Sequence, residues 1–146
     1  MLSKKAKYGL KAAFYLTRHY GKGPVLISDL ARKENIPKKF LELILLELKK
    51  HGLLTSKMGK GGGYYLSKPP DKIYVGQIVR ILDGPLAPVS CVSKTAYARC
   101  IECENEKTCE IRKIMLQVRD STAAILDHTT LVDAPRALFI IQKKGR

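Results

Sequence analysis

All four cysteines of the chain lie within one stretch of nineteen residues, at Cys91, Cys100, Cys103 and Cys109. Clustered thiols in a cytosolic protein favour metal or redox chemistry, because structural disulfides are rare in a reducing compartment. Cys100 and Cys103 form a C-x-x-C pair, but no second pair completes a zinc ribbon. Iron–sulfur clusters accept cysteines at irregular spacing. The pattern therefore predicts such a cluster first, with zinc, a reactive thiol switch and coincidence as alternatives.

The other polar residues form no pattern typical of catalysis. No Ser/His/Asp set and no pair of carboxylates stands out in the sequence. His19, His51 and His128 fall at predicted helix ends, where a cation interacts favourably with the helix dipole. We therefore expect a protein that is not an enzyme. A metal-dependent enzyme acting on an anionic substrate is kept as a less favoured alternative.

Two short helices joined by a tight turn precede the cysteines. Ser28 is predicted to cap a helix that runs to about Glu34, because its hydroxyl can accept from free N–H groups of the first turn. Asn35 suits a left-handed turn residue. Pro37 is tolerated in the first turn of a second helix, which we expect to end near His51. This arrangement predicts a helix-turn-helix, whose second helix commonly enters a DNA major groove.

A glycine-rich, basic hairpin follows the second helix. The strands are predicted at 53–56 and 64–66, and the intervening tip at 57–63 holds four glycines and two lysines. A phosphate-binding nucleotide loop would need a helix after the glycines, but a β-type Tyr-Tyr-Leu follows here. The pattern therefore indicates a winged helix, in which a basic hairpin reaches the phosphates beside the occupied groove.

Charge is concentrated in the same half of the chain. The formal net charge is +14, and residues 1–60 hold 14 Lys and Arg against 4 Asp and Glu. This asymmetry favours a polyanion-binding module. The second helix has a predicted apolar core stripe at Leu41, Ile44, Leu45 and Leu48. Leu43 and Leu46 lie off this stripe and could contact thymine methyls or another protein surface. The residues that we expect to contact DNA are Ser28, Lys38, Lys39, Glu42, Leu43, Lys57 and Lys60.

Three further helices and a long loop complete the predicted organisation. We expect a first helix over 3–20 with a buried face at Ala6, Leu10, Ala13, Phe14 and Thr17, a fourth over 74–82, and a long amphipathic helix over 110–127. The apolar stripe of this last helix must pack against another surface, and the simplest choice is the same helix of a second subunit. Its members are Ile111, Ile114, Met115, Val118, Thr122 and Ile125.

The predicted fold class is mainly α with a small β-hairpin. We expect a winged-helix domain at 1–84, a cysteine-rich sensor loop at 85–109, and a dimerisation helix with a tail at 110–146. Residues 129–131 are predicted to cap a last short helix, and 143–146 to fray. No apolar run approaches the ~20 residues of a membrane helix, and the N-terminus lacks a secretory apolar region. A cytoplasmic location is therefore expected.

Four of these stretches resemble one bacterial family. They are residues 3–10, the helix region 36–53, the hairpin tip Gly-Lys-Gly-Gly-Gly-Tyr at 59–64, and the cysteine loop. Together they look like the Rrf2 family of transcriptional regulators. The resemblance covers nearly the whole chain and implies a homodimer with a winged helix on palindromic DNA and a long C-terminal dimer helix. In cluster-binding members, three cysteines before that helix hold an iron–sulfur cluster.

The cysteines match the cluster-binding pattern only in part. Cys91, Cys103 and Cys109 fall on the three cysteine positions of the family motif, whereas Arg112 falls where those members have a histidine ligand. Arginine does not ligate iron, so the fourth ligand would be Cys100 or a carboxylate or imidazole of a partner subunit. An acidic residue that other members use is replaced by Lys7.

The DNA-reading residues also depart from the family pattern. Met58 replaces an arginine that relatives place in the minor groove, so Lys57 or Lys60 would serve instead. Glu42 matches a base-reading glutamate. The expected function is a sequence-specific regulator that senses redox, iron or sulfur status through a cluster. The alternative is a regulator of the same fold without a cluster, responding to a metabolite, a partner protein or thiol oxidation.

Overall fold

The computed structural model describes residues 2–133 and confirms the predicted class, mainly helical with one small β-hairpin. A short 3₁₀ turn follows the hairpin, and another, Ser90–Val92, lies in the cysteine loop. Over 2–133, no helix is long and apolar enough to cross a membrane. The elements are α1 (Lys4–Arg18), α2 (Ile27–Glu34), α3 (Lys38–Lys50), β1 (Leu54–Lys57), β2 (Gly63–Leu66), α4 (Val75–Asp83) and α5 (Glu110–Leu126).

Helix α1 begins at Ser3, whose hydroxyl accepts from the Ala6 N–H at 3.0 Å. Its buried face is rotated from the predicted one. Ala6 and Ala13 are buried as expected, but Leu10, Phe14 and Thr17 are only half-buried. The reason is a close approach to α4: a Cβ at Gly9 would lie 2.1 Å from Leu82 Cδ1. The buried side is therefore formed by Ala6, Gly9, Ala12, Ala13, Tyr15 and Leu16.

The helix-turn-helix is present, but the cap predicted for α2 is wrong. Helix α2 starts one residue before Ser28, which lies inside the first turn, and the cap residue Leu26 makes no side-chain hydrogen bond. The cause is tertiary, because Val25 pairs with Tyr64 and carries the chain in extended form up to Leu26. The turn is as predicted: Asn35 is left-handed with φ 54°.

Helix α3 follows directly and anchors the unit in the core. It ends at Lys50, and its predicted apolar stripe is confirmed. These side chains pack with α1, α2 and α4 around one hydrophobic core. Burying such a stripe contributes about 1.5–3 kcal/mol per large aliphatic side chain. The four members of the stripe, each 1% exposed or less, are Leu41, Ile44, Leu45 and Leu48.

The wing is a two-stranded antiparallel hairpin with Leu54 opposite Leu66 and Lys57 opposite Gly63. The backbone of Val25 extends it on the outer side through two hydrogen bonds with Tyr64, of 2.8 and 2.9 Å. Gly63 is required at this junction, since a Cβ there would lie 2.1 Å from the Val25 carbonyl oxygen. The wing is thereby fixed to the segment that enters α2.

The chain returns to the core after α5. Leu131 is fully buried, and its N–H donates to the Ile73 carbonyl at 3.0 Å. Thr130 pairs with Tyr74 just before α4. The helix predicted beyond residue 131 and the frayed tail at 143–146 lie largely or wholly outside the described residues. What the structure adds is an apolar contact that fastens the end of α5 to the winged-helix unit.

Candidate nucleic-acid interface and cysteine loop

The N-terminal half of α3 presents a free polar surface. Lys38, Lys39 and Glu42 are exposed, and none of them makes a side-chain hydrogen bond or ion pair within residues 2–133. Leu43 is 64% exposed and Leu46 41% exposed, beside the polar residues and opposite the buried stripe. An exposed helix face of this kind, on a firmly packed helix, suits insertion into a major groove.

The wing carries two more exposed cations. Lys57 and Lys60 are exposed, and Met58 between them is 90% exposed. The tip turns sharply at Gly59 and Gly61, with φ of 85° and 73°. These values lie in the left-handed region that favours glycine. The glycine run thus gives the tip its shape.

A hydrogen bond that the sequence did not reveal joins the recognition helix to the wing. Lys49 Nζ donates to Ser56 Oγ at 2.6 Å. This hydrogen bond therefore joins two of the predicted DNA-contact surfaces, α3 and the hairpin, in addition to the backbone that connects them. Ser28 is exposed in the first turn of α2, where free backbone N–H groups favour an anion such as phosphate.

The cysteine loop brings two thiols close to each other. The Cys109 side chain lies near enough to Cys103 to influence its ionisation. Cys109 is also the N-cap of α5, where its Sγ accepts from the Arg112 N–H at 3.4 Å. Burial, and then the neighbouring Cys109 thiol, raise the pKa of Cys103 above its usual value. A raised pKa lowers the thiolate fraction at neutral pH.

The other two thiols are less closely placed. Cys91 lies in the short turn 90–92, half-buried, and Cys100 is exposed one turn before Cys103. Within residues 2–133, no group of three or more His, Cys, Asp or Glu side chains converges to hold a metal ion. The loop thus assembles a thiol pair at the start of α5, with the remaining thiols nearby in sequence.

Arg112 occupies the position of the expected fourth ligand and is packed into this loop. Its Nε is buried without a hydrogen-bond partner. Nearby, the Tyr97 hydroxyl donates to Glu106 at 2.6 Å, which raises the pKa of Tyr97, while the positive charge of Arg112 opposes the rise. Arg99 donates to the Cys103 carbonyl at 3.3 Å. The loop is thus held by polar contacts that its irregular sequence did not predict.

Helix α5 has two unlike faces. No residue of it is buried. One side rests on the turn 90–92, where Arg119 donates to the Val92 carbonyl at 2.6 Å, and on α4, where Asp127 pairs with Arg80. Met115 and Thr122 of the predicted seam are half-buried toward that side. The other side is apolar and open: Ile111, Ile114, Val118 and Ile125 are between 43% and 65% exposed.

Comparisons with known proteins agree with this geometry. A family model described as Rrf2, iron-dependent transcriptional regulator, matches residues 2–136. A putative rrf2-like helix-turn-helix regulator of Rhodobacter capsulatus is 40% identical over 136 residues, covering 91% of both proteins. CymR of Bacillus subtilis is 33% identical over 132 residues, covering 90% of this chain and 87% of CymR.

Solved structures give the same result. The structure titled as CymR, the global cysteine regulator of B. subtilis, superposes with a TM-score of 0.76 at 33% identity, covering 92% of this chain and 95% of that one. IscR of T. potens gives 0.72 at 29% identity, covering 94% and 88%. The relatives are regulators, so the enzyme alternative is wrong. The predicted resemblance is confirmed, and the chain belongs to the Rrf2 family of DNA-binding transcriptional regulators.

Proposed function

We propose that the chain is a homodimeric regulator that binds palindromic DNA and senses redox, iron or sulfur status through an iron–sulfur cluster held by the cysteine loop. One observation carries the proposal: the Cys109 thiol lies close enough to Cys103 to raise the pKa of Cys103, and it also caps α5, the helix with the open apolar face. A change at these thiols would act directly on the element that sets the distance between two winged helices. The functional division would be 1–84, 85–109 and 110–146.

The DNA-binding part of the proposal rests on unpaired side chains. Lys38, Lys39, Lys57 and Lys60 are exposed around α3 and the wing, so they would contact phosphates, with Ser28 at the start of α2. Glu42 and Leu43 lie on the exposed face of α3. Glu42 would accept from a cytosine amino group, and Leu43 would meet an apolar base edge.

The dimer rests on the open face of α5. Four large aliphatic side chains in one stripe are exposed to water, which is unusual for an isolated chain. Pairing with the same stripe of a second subunit would bury them in an isologous seam, with the half-buried Met115 and Thr122 at its inner edge. Two recognition helices related by a twofold axis would then read the two halves of a palindromic site.

The thiols fit an iron–sulfur cluster in donor chemistry. Cys91, Cys103 and Cys109 would supply the thiolates, with Cys100 or a partner-subunit side chain as the fourth ligand. Arg112, with its unpartnered Nε, would be available to donate to a cluster sulfur. A bound cluster would supply a redox- and iron-responsive charge at the start of α5. A change of that charge would reach α5 through Cys109, the residue that caps this helix.

A regulator of the same fold without a cluster is the second candidate. It is favoured by the observation that, within the described part of the chain, no three His, Cys, Asp or Glu side chains converge to hold a metal ion. One solved relative is titled a global cysteine regulator, whereas the family description names iron. The two candidates differ in whether iron and sulfide accompany the protein.

Anaerobic purification separates the two candidates. The cluster proposal expects a coloured protein with iron and acid-labile sulfide, and loss of both in Cys91→Ala, Cys103→Ala and Cys109→Ala with helical content unchanged. Cys100→Ala is the matched comparison: it loses the chromophore only if Cys100 is the fourth ligand. A colourless protein, or zinc without sulfide, would contradict the cluster and favour the second candidate.

A further inference from the structure

A cavity of about 240 Å³ lies between the winged-helix unit and α5. Arg80 of α4 forms one wall, residues 85–95 form the second, and the last two turns of α5 form the third. It is separate from the cysteines and from the exposed face of α3, since neither contributes a residue to its lining. The function proposed above assigns no ligand to it.

The cavity is lined by charges of both signs. Arg80, Lys94 and Arg119 are its cations, and Asp120 and Asp127 are its carboxylates. Most of these groups are already engaged. Asp127 pairs with Arg80 through both of its oxygens. Arg119 donates to Asp120 Oδ1 at 2.7 Å and also to the Val92 carbonyl.

Two polar groups at the cavity are not used in a hydrogen bond or close ion pair, although the charge of Lys94 also acts on Asp127. Lys94 is exposed, and within residues 2–133 no carboxylate lies within ion-pair distance of its ammonium group. Asp120 uses only Oδ1 for its contacts with Arg119, so Oδ2 has no hydrogen bond among the described residues. A free cation and a free carboxylate oxygen at one cavity match a ligand that carries both charges.

The uncharged lining is made of small or apolar residues. Pro85, Leu86, Ala87 and Ala123 are apolar, and Ser93 and Thr95 add two hydroxyl groups. The volume is below the ~300–1,000 Å³ of ordinary small-molecule sites, so the ligand must be correspondingly small. A bare inorganic anion would fit the cations but would be repelled by Asp120. These features favour a ligand that is a small zwitterion with a short side chain.

We propose that this cavity binds a free α-amino acid with a short side chain. Its carboxylate would pair with Lys94, its ammonium group with Asp120 Oδ2, and its side chain would rest on Pro85, Leu86 and Ala123. The ligand would contact residues from both sides of the junction between α4 and α5. The site depends on neither the cluster nor DNA, so either proposal can fail without the other.

Binding is tested on the full chain without DNA, by calorimetry and thermal shift. The probes are glycine, L-alanine, L-serine, L-cysteine and L-valine, and the comparison compounds are N-acetyl-L-valine and L-valinamide, which each lack one charge. We expect saturable binding of at least one amino acid and weak binding of both derivatives. Absence of binding by all five, or equal binding of the derivatives, would overturn the proposal.

Side-chain variants locate the site. Lys94→Met removes the cation, and Asp120→Asn removes the negative charge while keeping an acceptor for Arg119. Both residues are exposed, so folding should be preserved. Each change should weaken binding by roughly tenfold to a hundredfold, as expected for a charged hydrogen bond. Lys113→Met, on α5 but outside the cavity, is the control, and an equal loss there would refute the assignment.

Discussion

At the scale of single residues, α3 carries groups with two different tasks. Lys38 and Lys39 are cations with no partner in the described chain, whereas Glu42 would be repelled by phosphate and can only be useful at a base edge. Affinity and specificity should therefore depend on different side chains of the same helix, and this separation can be measured.

Glu42→Ala should relax sequence preference at one base-pair position by about 1–3 kcal/mol, because a single base contact is lost. Binding to competitor sites of altered sequence, measured by fluorescence anisotropy, gives the preference directly. Glu47→Ala is the control, since Glu47 lies on the same helix but pairs with Lys5 at 2.6 Å. A uniform change of affinity on all sequences after Glu42→Ala would rule out base reading.

Lys39→Ala and Lys60→Ala should instead weaken all sequences alike. Each should reduce the slope of log affinity against log salt by about 1, because one phosphate contact and its released counterion are lost. A salt titration on specific and nonspecific duplexes provides the measurement. If either variant changes the base preference and leaves the salt slope unaltered, that lysine reads a base.

The conformation of a single residue could be predicted from the sequence where its neighbours in the chain alone determine it. The left-handed Asn35 follows from the tolerance of asparagine for that conformation. The cap at Ser28 failed because the Val25–Tyr64 pairing, across almost forty residues, decides where α2 starts. The unpartnered Nε of Arg112 and the Tyr97–Glu106 hydrogen bond depend on loop geometry, for which an irregular sequence carries no periodic signal.

At the scale of elements, the stripes of α3 and α5 were both predictable from periodicity, but only the structure separates them. The stripe of α3 is buried, whereas that of α5 has four large side chains open to water. Periodicity reports which residues share a face and not what covers that face. The return of Leu131 to the core was missed because one buried residue after a helix has no pattern.

Ile114→Asp and Val118→Asp should convert a dimer to monomers. Each places an unpaired charge in an apolar seam, which is costly without a compensating partner. Sedimentation velocity gives the oligomeric state, and DNA titration should show weak binding to half-sites. Gln117→Asp, an exposed position off the stripe, should stay dimeric. A dimer that survives both stripe changes would place the interface elsewhere.

The docking of α5 on α4 should depend on pH through Asp127. The hydrogen bond from Arg80 lowers the pKa of Asp127 in the folded chain. A carboxyl group with a lowered folded pKa stabilises the fold above its unfolded pKa of about 3.9, and this stability is lost as the pH falls toward the folded value.

Thermal unfolding should therefore show a midpoint that falls below about pH 4, and Asp127→Asn should flatten that part of the profile. Asp71→Asn is the control, because Asp71 is exposed and makes no ion pair in the described chain. The pair is partly exposed, at 39% and 36% of its side-chain surface, so the effect should be modest. Identical profiles for wild type and Asp127→Asn would show that the pair does not stabilise the docking.

At the scale of the whole molecule, three contacts connect the proposed sensor to the proposed DNA reader. Cys109 caps α5, Arg119 holds the turn 90–92 against it, and Asp127 joins its far end to α4. Helix α4 in turn packs on α1 and α3. A continuous path of packed elements therefore connects the thiols to the recognition helix. The coupling between the cysteine loop and the DNA-binding surface can be measured as the change in the free energy of DNA binding when the thiols are altered.

Cys109→Ala should change affinity for a full palindrome while leaving affinity for a half-site unaltered. The change removes a proposed ligand and the α5 cap together, whereas the surface of α3 is untouched, so only the spacing of two winged helices should respond. Cys109→Ser keeps a capping oxygen and removes the thiol, which separates the cap from the sulfur chemistry.

If the cluster sets the spacing, both variants should alter palindrome binding by about tenfold to a hundredfold, corresponding to a coupling of about 1–3 kcal/mol. If the cap alone matters, Cys109→Ser should bind the palindrome as wild type does. Anisotropy with full-site and half-site duplexes, under anaerobic conditions, measures both quantities on the same preparation. Equal loss on the two duplexes would mean that Cys109 supports the winged helix itself, and the proposed route through α5 would be wrong.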